Sequence, residues 1–152
     1  MPIATLVKSL SGAVIGVLAF SSAALAQTNV ENYVGLGVRT GLNDSTALVV
    51  DSKLKVISLD QGSVSFRPAI LIGDDFESRL PISFDLPFEE QFLFFGGGGF
   101  AYNFDDSDFD PMITAGVDMP INERLILNVE GNLIFKSNDT DAEIAASINW
   151  QF

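Results

Sequence analysis

The chain contains no cysteine and no histidine. The first absence excludes disulfides, thiolate metal sites and a thiol nucleophile. The second removes the commonest general base and the commonest transition-metal ligand. Basic residues are scarce as well: 8 Lys and Arg stand against 20 Asp and Glu, giving a net charge of −12. Such a chain lacks the side chains that release counterions from phosphates, so nucleic acid is excluded as a partner. After the N-terminal segment no apolar run is long enough for a spanning helix, and no stretch holds a helical period. Yet 47% of the 152 residues are hydrophobic. A chain both apolar and acidic must separate its charges in space within one domain-sized fold.

The N-terminus reads MPIATLVKSLSGAVIGVLAFSSAALAQ. Lys8 supplies a positive start, Leu10 to Phe20 a short apolar core, and Ala24-Leu25-Ala26 a small-x-small site before Gln27. This is the layout of a secretory signal peptide over residues 1–26, cleaved between Ala26 and Gln27. The apolar core is shorter than the ~20 residues that a membrane helix needs. Residues 27–152 are then the mature domain.

That domain alternates with a period of two, the mark of strands with one apolar face. Residues 32–42 set Val34, Leu36 and Val38 against Tyr33, Gly35, Gly37 and Arg39. Residues 46–59 set Leu48, Val50, Leu54 and Val56 against Asp51, Lys53 and Lys55. Segments 63–73 and 79–88 carry Ser63, Ser65, Arg67, Arg79, Ser83 and Asp85 on their polar faces. Segment 91–104 is QFLFFGGGGFAYNF, and segment 111–121 has Thr114, Gly116 and Asp118 opposite its apolar side. Segments 124–135 and 142–152 add Arg124, Asn128, Glu130, Asn132, Glu143, Ser147 and Asn149. Eight such segments, each long enough to cross a bilayer at a tilt (~9–11 residues), predict an all-β, eight-stranded, antiparallel up-and-down transmembrane barrel. The connections NDS, DDFES, DDSDFD and KSNDTD predict longer acidic loops at one end, and DQG, EE and NE predict tight turns at the other. Pro68 falls mid-strand, where a closed barrel has no free edge to hide a missing N–H, and so predicts a bulge or a shifted boundary.

Two features predict that the polar face points inward. The first is its charge: Arg39, Lys53, Lys55, Arg67, Arg79 and Arg124 against Asp51, Asp85, Asp118, Glu130 and Glu143. A nearly balanced set in so acidic a chain fits a narrow interior, where each charge needs a partner. The second is segment 91–104, where Phe92 and Phe94 near one end share a face with Phe100, Tyr102 and Phe104 near the other. Two aromatic bands with Gly96 and Gly98 between them match the interfacial girdles of a membrane barrel. Gly97 and Gly99 face the other way and leave room inside for long basic side chains. A phosphate loop would need Lys and Ser/Thr after its glycines, and Phe100-Ala101-Tyr102 follows instead.

The final residues, ASINWQF, place Ile148, Trp150 and Phe152 on one face. Here the chain resembles bacterial outer-membrane β-barrels, whose last strand ends in Phe with apolar residues at alternating positions. Residues 116–135, with Gly116, Asn122, Leu125, Leu127 and Glu130, look like the penultimate hairpin of small barrels of the OmpA transmembrane-domain, OmpX and opacity-protein type. The resemblance implies a Gram-negative-type outer membrane, contact with its lipid and lipopolysaccharide, and a C-terminal signal read by the barrel-assembly machinery. It implies no cofactor. Lipid-modifying enzymes among such barrels typically use a histidine, which this chain lacks, so no enzyme is expected.

Asp106, Asp108 and Asp110 alternate like the start of a calcium loop, but Pro111 stands where its glycine belongs and Val117 where its glutamate belongs. A solvated loop is the expected reading. Three functions remain: a structural or surface-contact barrel filled by an ionic network, a narrow ion-conducting pore, and a secreted lipocalin-like carrier. Oligomeric state is left open by the sequence.

Overall fold

A computed structural model describes residues 30–42, 45–89 and 91–152. The expected cleavage site at Ala26 and Gln27 lies outside the described residues. The regular elements are all strands: β1 (Tyr33–Gly41), β2 (Ala47–Ser58), β3 (Ser63–Phe66), β4 (Ala69–Ile72), β5 (Phe76–Phe88), β6 (Phe92–Asn103), β7 (Asp108–Pro120), β8 (Leu125–Phe135) and β9 (Thr140–Gln151). Neighbours in the sheet pair antiparallel, and β1 pairs with both β2 and β9, so the sheet closes into a ring. At the seam the Phe152 N–H donates to the Asn32 carbonyl at 2.9 Å, which leaves the last strand no free end.

β3 and β4 fill one position in the ring, between β2 and β5. Eight positions are therefore built from nine strands, and the break falls at Arg67-Pro68. Proline cannot donate to the ladder, so pairing stops on either side of it. The local bonds are made good individually: Arg67 N–H donates to the Pro81 carbonyl at 3.0 Å, and the Ser52 hydroxyl to the Pro68 carbonyl at 2.6 Å. The break leaves the register on β2 unchanged, Leu54 facing Phe66 before it and Val50 facing Ile70 after it, and a separate register shift lies between Lys55 and Ile57.

Alternation places every second residue inside. Arg67 is 3% exposed, whereas Leu36 and Trp150 are each 59% exposed. The usual soluble arrangement is inverted, with charges enclosed and Val, Leu, Ile and Phe displayed outside.

The loop ends differ from the expected lengths. DDFES contracts to residues 73–75 because Phe76, Glu77 and Ser78 join β5, and DDSDFD contracts to 104–107 because Asp108 and Asp110 join β7. The contrast between long loops and tight turns disappears, since 59–62, 89–91 and 121–124 are of similar length. Polar residues extend these strands because neighbouring strands offer backbone partners, and a ladder hydrogen bond does not depend on the side chain. The calcium-loop reading of Asp106, Asp108 and Asp110 is corrected accordingly: two of the three sit in a strand. Among the described residues no three acidic side chains gather to hold a metal ion.

Candidate functional site: the barrel interior

The interior is layered. At the turn end, Arg67 reaches from the β3–β4 break and places Nη2 3.0 Å from Asp85 on β5 and 2.9 Å from Asp118 on β7. Its Nε donates to Ser83 Oγ at 2.7 Å and its Nη1 to the Tyr33 hydroxyl at 2.9 Å. The Phe95 ring lies 3.6 Å from the guanidinium carbon. A planar, forked cation suits this position, because it can bridge two carboxylates and stack on a ring at once. Ser63, Ser65 and Ser83 donate to Asp85, while Tyr33 and Asn128 each donate to Asp118 at 2.9 Å. Lys53 lies 3.9 Å from Asp85 and donates to the Val30 carbonyl at 2.6 Å. Below this layer, Val30, Tyr33, Leu93 and Ile126 form a small apolar stopper.

At the loop end, Arg79 Nη2 lies 2.9 Å from Glu77 and 3.1 Å from Glu143, and Arg39 Nη1 lies 3.3 Å from Glu143. Asn132 Nδ2 also donates to Glu143, at 3.4 Å. Two apolar clusters occupy the same half: Ala47, Val49, Ala69 and Leu71 on one side, and Ala101, Met112 and Ile134 on the other.

Between these layers lie Asp51 and Glu130. Asp51 accepts from Ser147 Oγ at 2.8 Å and from the Ser52 N–H at 2.9 Å. Glu130 accepts from Asn132 Nδ2 at 3.1 Å. Gly35 and Gly37 lie opposite the 49–51 stretch of β2 on one side and the 147–149 stretch of β9 on the other. Their missing side chains let Asp51 reach across β1 to Ser147.

The geometry corrects the charge pattern read from sequence at several points. Arg124 is exposed in the β7–β8 turn and takes no part in the interior. Lys55 sits at the turn-end rim, partly exposed and 3.5 Å from Glu31. Among the described residues Asp51 and Glu130 form no ion pair, contrary to the expectation that each inward acid has a basic neighbour, and are held by hydrogen bonds instead. Glu77 belongs to the interior, although its place within DDFES made it look like loop. Its period-two offset from Arg79 was the available signal.

On the outer face, Phe92 and Phe94 lie with Phe88 at the turn end, at centroid distances of 6.2 Å for Phe92–Phe94 and 5.7 Å for Phe88–Phe94. At the loop end Phe100 stacks on Phe109 at 4.6 Å, and Tyr102 meets Phe104 at 4.8 Å. Phe76 joins them, 5.0 Å from Phe104. Phe76 and Phe109 were hidden in segments read as loops. Ile148, Trp150 and Phe152 lie on the outer side of the last strand, with Phe152 beyond its end.

No family model matches the chain, and no curated protein matches it in sequence. Solved structures do. A de novo designed transmembrane β-barrel matches with a TM-score of 0.65 at 16% identity, covering 84% of this chain and 99% of the design. Ail, an outer-membrane protein of Yersinia pestis, matches at 0.57 and 8%, covering 82% and 100%. The N-terminal barrel of Pseudomonas aeruginosa OprF matches at 0.55 and 7%, covering 80% and 96%. The chain therefore has the fold of a small eight-stranded transmembrane β-barrel. Its architecture is similar to that of Ail and of the OprF N-terminal barrel.

Proposed function

We propose that this protein is an integral outer-membrane barrel with a structural role in the envelope, its interior filled rather than open. The carrying observation is the inversion of burial: Arg67, Asp85 and Asp118 are enclosed in one hydrogen-bonded cluster while apolar side chains cover the outside. An apolar outer surface of this extent on a closed ring needs lipid against it. The aromatic clusters at both ends then sit at the two interfaces. In this reading Ile148, Trp150 and Phe152 are presented to the assembly machinery, and the acidic loop end meets lipopolysaccharide.

The filled interior favours this role over an ion-conducting pore. Charged layers bonded across the barrel and the Val30 stopper leave side chains where a water path would run. A lipocalin-like carrier would need an apolar cavity, and the enclosed face here is largely polar. Ail is named as an attachment and invasion protein. Surface contact is the weaker reading for this chain, whose described loops at 73–75, 104–107 and 136–139 are too short to form a binding lobe. Chemistry is less favoured, because the interior carboxylates and the Ser63, Ser65, Ser83 and Ser147 hydroxyls beside them are bonded to one another within the filling.

Fractionation of cells making the full chain tests the reading. The protein is expected in the outer-membrane fraction after a carbonate wash. Recovery from the soluble periplasm or the medium would contradict it.

A further inference from the structure

Val30 departs from the alternation of the strand it precedes. Continued backwards, the pattern of β1 would put Val30 on the outer face with Val34 and Leu36. Instead Val30 is 4% exposed and joins the interior cluster of Tyr33, Leu93 and Ile126. Asn32 still belongs to the seam, its carbonyl accepting from the Phe152 N–H and its Oδ1 from the Lys55 N–H at 2.8 Å. Ahead of Asn32 the chain leaves the sheet and turns in across the mouth. β1 and β6 stand on opposite sides of the ring, and Val30 shares one cluster with side chains of both.

Side chains hold this segment in place of a ladder. The Lys53 ammonium donates to the carbonyls of Val30 at 2.6 Å and of Glu31 at 3.4 Å. The Glu31 N–H donates to Gln151 Oε1 at 3.1 Å, and the Glu31 carboxylate lies 3.5 Å from Lys55, both side chains partly exposed. Lys53 is the latch among these. It is 0% exposed, and it lies 3.9 Å from Asp85, whereas Arg67 lies 3.0 Å from the same carboxylate. Two main-chain carbonyls therefore replace much of the water that a buried ammonium has given up. When the segment lifts, water can take their place, so both positions leave Lys53 satisfied. The strands have no such alternative, because a ladder bond broken in lipid leaves its donor and acceptor without water.

We propose that Val30 and Glu31 form a movable strap across the turn-end mouth, latched by Lys53, whose opening admits solvent to a vestibule that ends at the Arg67 layer. The filling then has two parts that differ in kind. The ionic layers are built into the ring, while the strap opens by local unfolding and closes again. Opening bares Leu93, Ile126 and the Tyr33 ring, and Arg67, Asp85 and Asp118 keep the barrel shut behind them. Burial of Val30 draws the strap back. This inference rests on the filled-interior reading and names the part of the filling that moves.

The absence of cysteine makes single-cysteine labelling a clean test. Membrane fragments from cells making the full chain are treated with a water-soluble maleimide, and folding is checked by gel mobility. Val30→Cys and Leu93→Cys are expected to react at matching rates, roughly tenfold or more faster than Ala145→Cys, a buried position on β9 paired with Glu130. Lys53→Met removes the latch and should speed both reactions roughly tenfold, as the loss of a charged hydrogen bond does, with Ala145→Cys unchanged. Gln151→Ala takes away the acceptor of the Glu31 N–H and should act in the same direction, which keeps the test in force if Lys53→Met does not fold. Val30→Cys reacting as slowly as Ala145→Cys in a folded barrel would overturn the proposal. So would rates at Val30→Cys and Leu93→Cys that neither variant changes. Both of those results leave the filled barrel standing. Fast reaction at all three positions would instead contradict the filled interior itself, and the strap with it.

Discussion

Arg67 is the side chain on which the turn-end half of the interior depends. Its guanidinium joins β5, β7 and Tyr33 of β1 from the β3–β4 break. Removing one partner of a buried ion cluster leaves uncompensated charge and costs about 3–5 kcal/mol. Arg67→Ala is therefore expected to lower the urea midpoint of the folded barrel strongly, with little change for the exposed Arg124→Ala. Equal effects would contradict the assignment of Arg67 to the interior. The glycine run separates by face in the same way. A Cβ on Gly97 would collide with the Ile82 carbonyl, and one on Gly99 with the Leu80 carbonyl, so β5 and β6 can come this close only with glycine there. A Cβ on Gly96 would meet its nearest atom at 3.9 Å. Gly97→Ala should cost about 1–3 kcal/mol as an overpacking change. Gly96→Ala should be neutral or gain up to about 1 kcal/mol from backbone entropy. Denaturant titration of the two variants checks the contrast.

The interrupted position formed by β3 and β4 shows how a single strand can depart from its pattern without opening the ring. Proline removes one donor, and Ser52 supplies a hydroxyl to the carbonyl beside it. Ser52→Ala should cost about 1 kcal/mol by unfolding measurements, the ordinary worth of one hydrogen bond. An effect near zero would mean the Pro68 carbonyl finds another donor. At this scale much was legible from the sequence. Alternation in 32–42 and 46–59 located β1 and β2 to within a residue at each end, and Pro68 marked the break. The starts of β5 and β7 were not legible, because Phe76-Glu77-Ser78 and Asp108-Phe109-Asp110 carry loop-like composition. Their strand state is imposed by the neighbours, Asp108 pairing with Asn103 and Phe76 with Ile72. Partner identity was equally hidden. Arg67 and Asp118 lie 51 residues apart, and only ring closure brings them together. Glu77 and the unpaired state of Asp51 and Glu130 follow from the same three-dimensional register.

The molecule as a whole is a lipid-facing ring closed around a polar core, stopped at its turn end by Val30, Tyr33, Leu93 and Ile126 and crossed by two ion-paired layers. Its acidic excess lies mainly in the rims and loops. The central claim is that this interior is filled, and planar-bilayer conductance of the refolded mature chain tests it most directly. Folding is verified beforehand by a heat-dependent shift on a denaturing gel. The account predicts a folded barrel that inserts and stays silent across salt concentrations. Discrete, salt-dependent openings from the unmodified chain would contradict it and make the interior charges the lining of a pore.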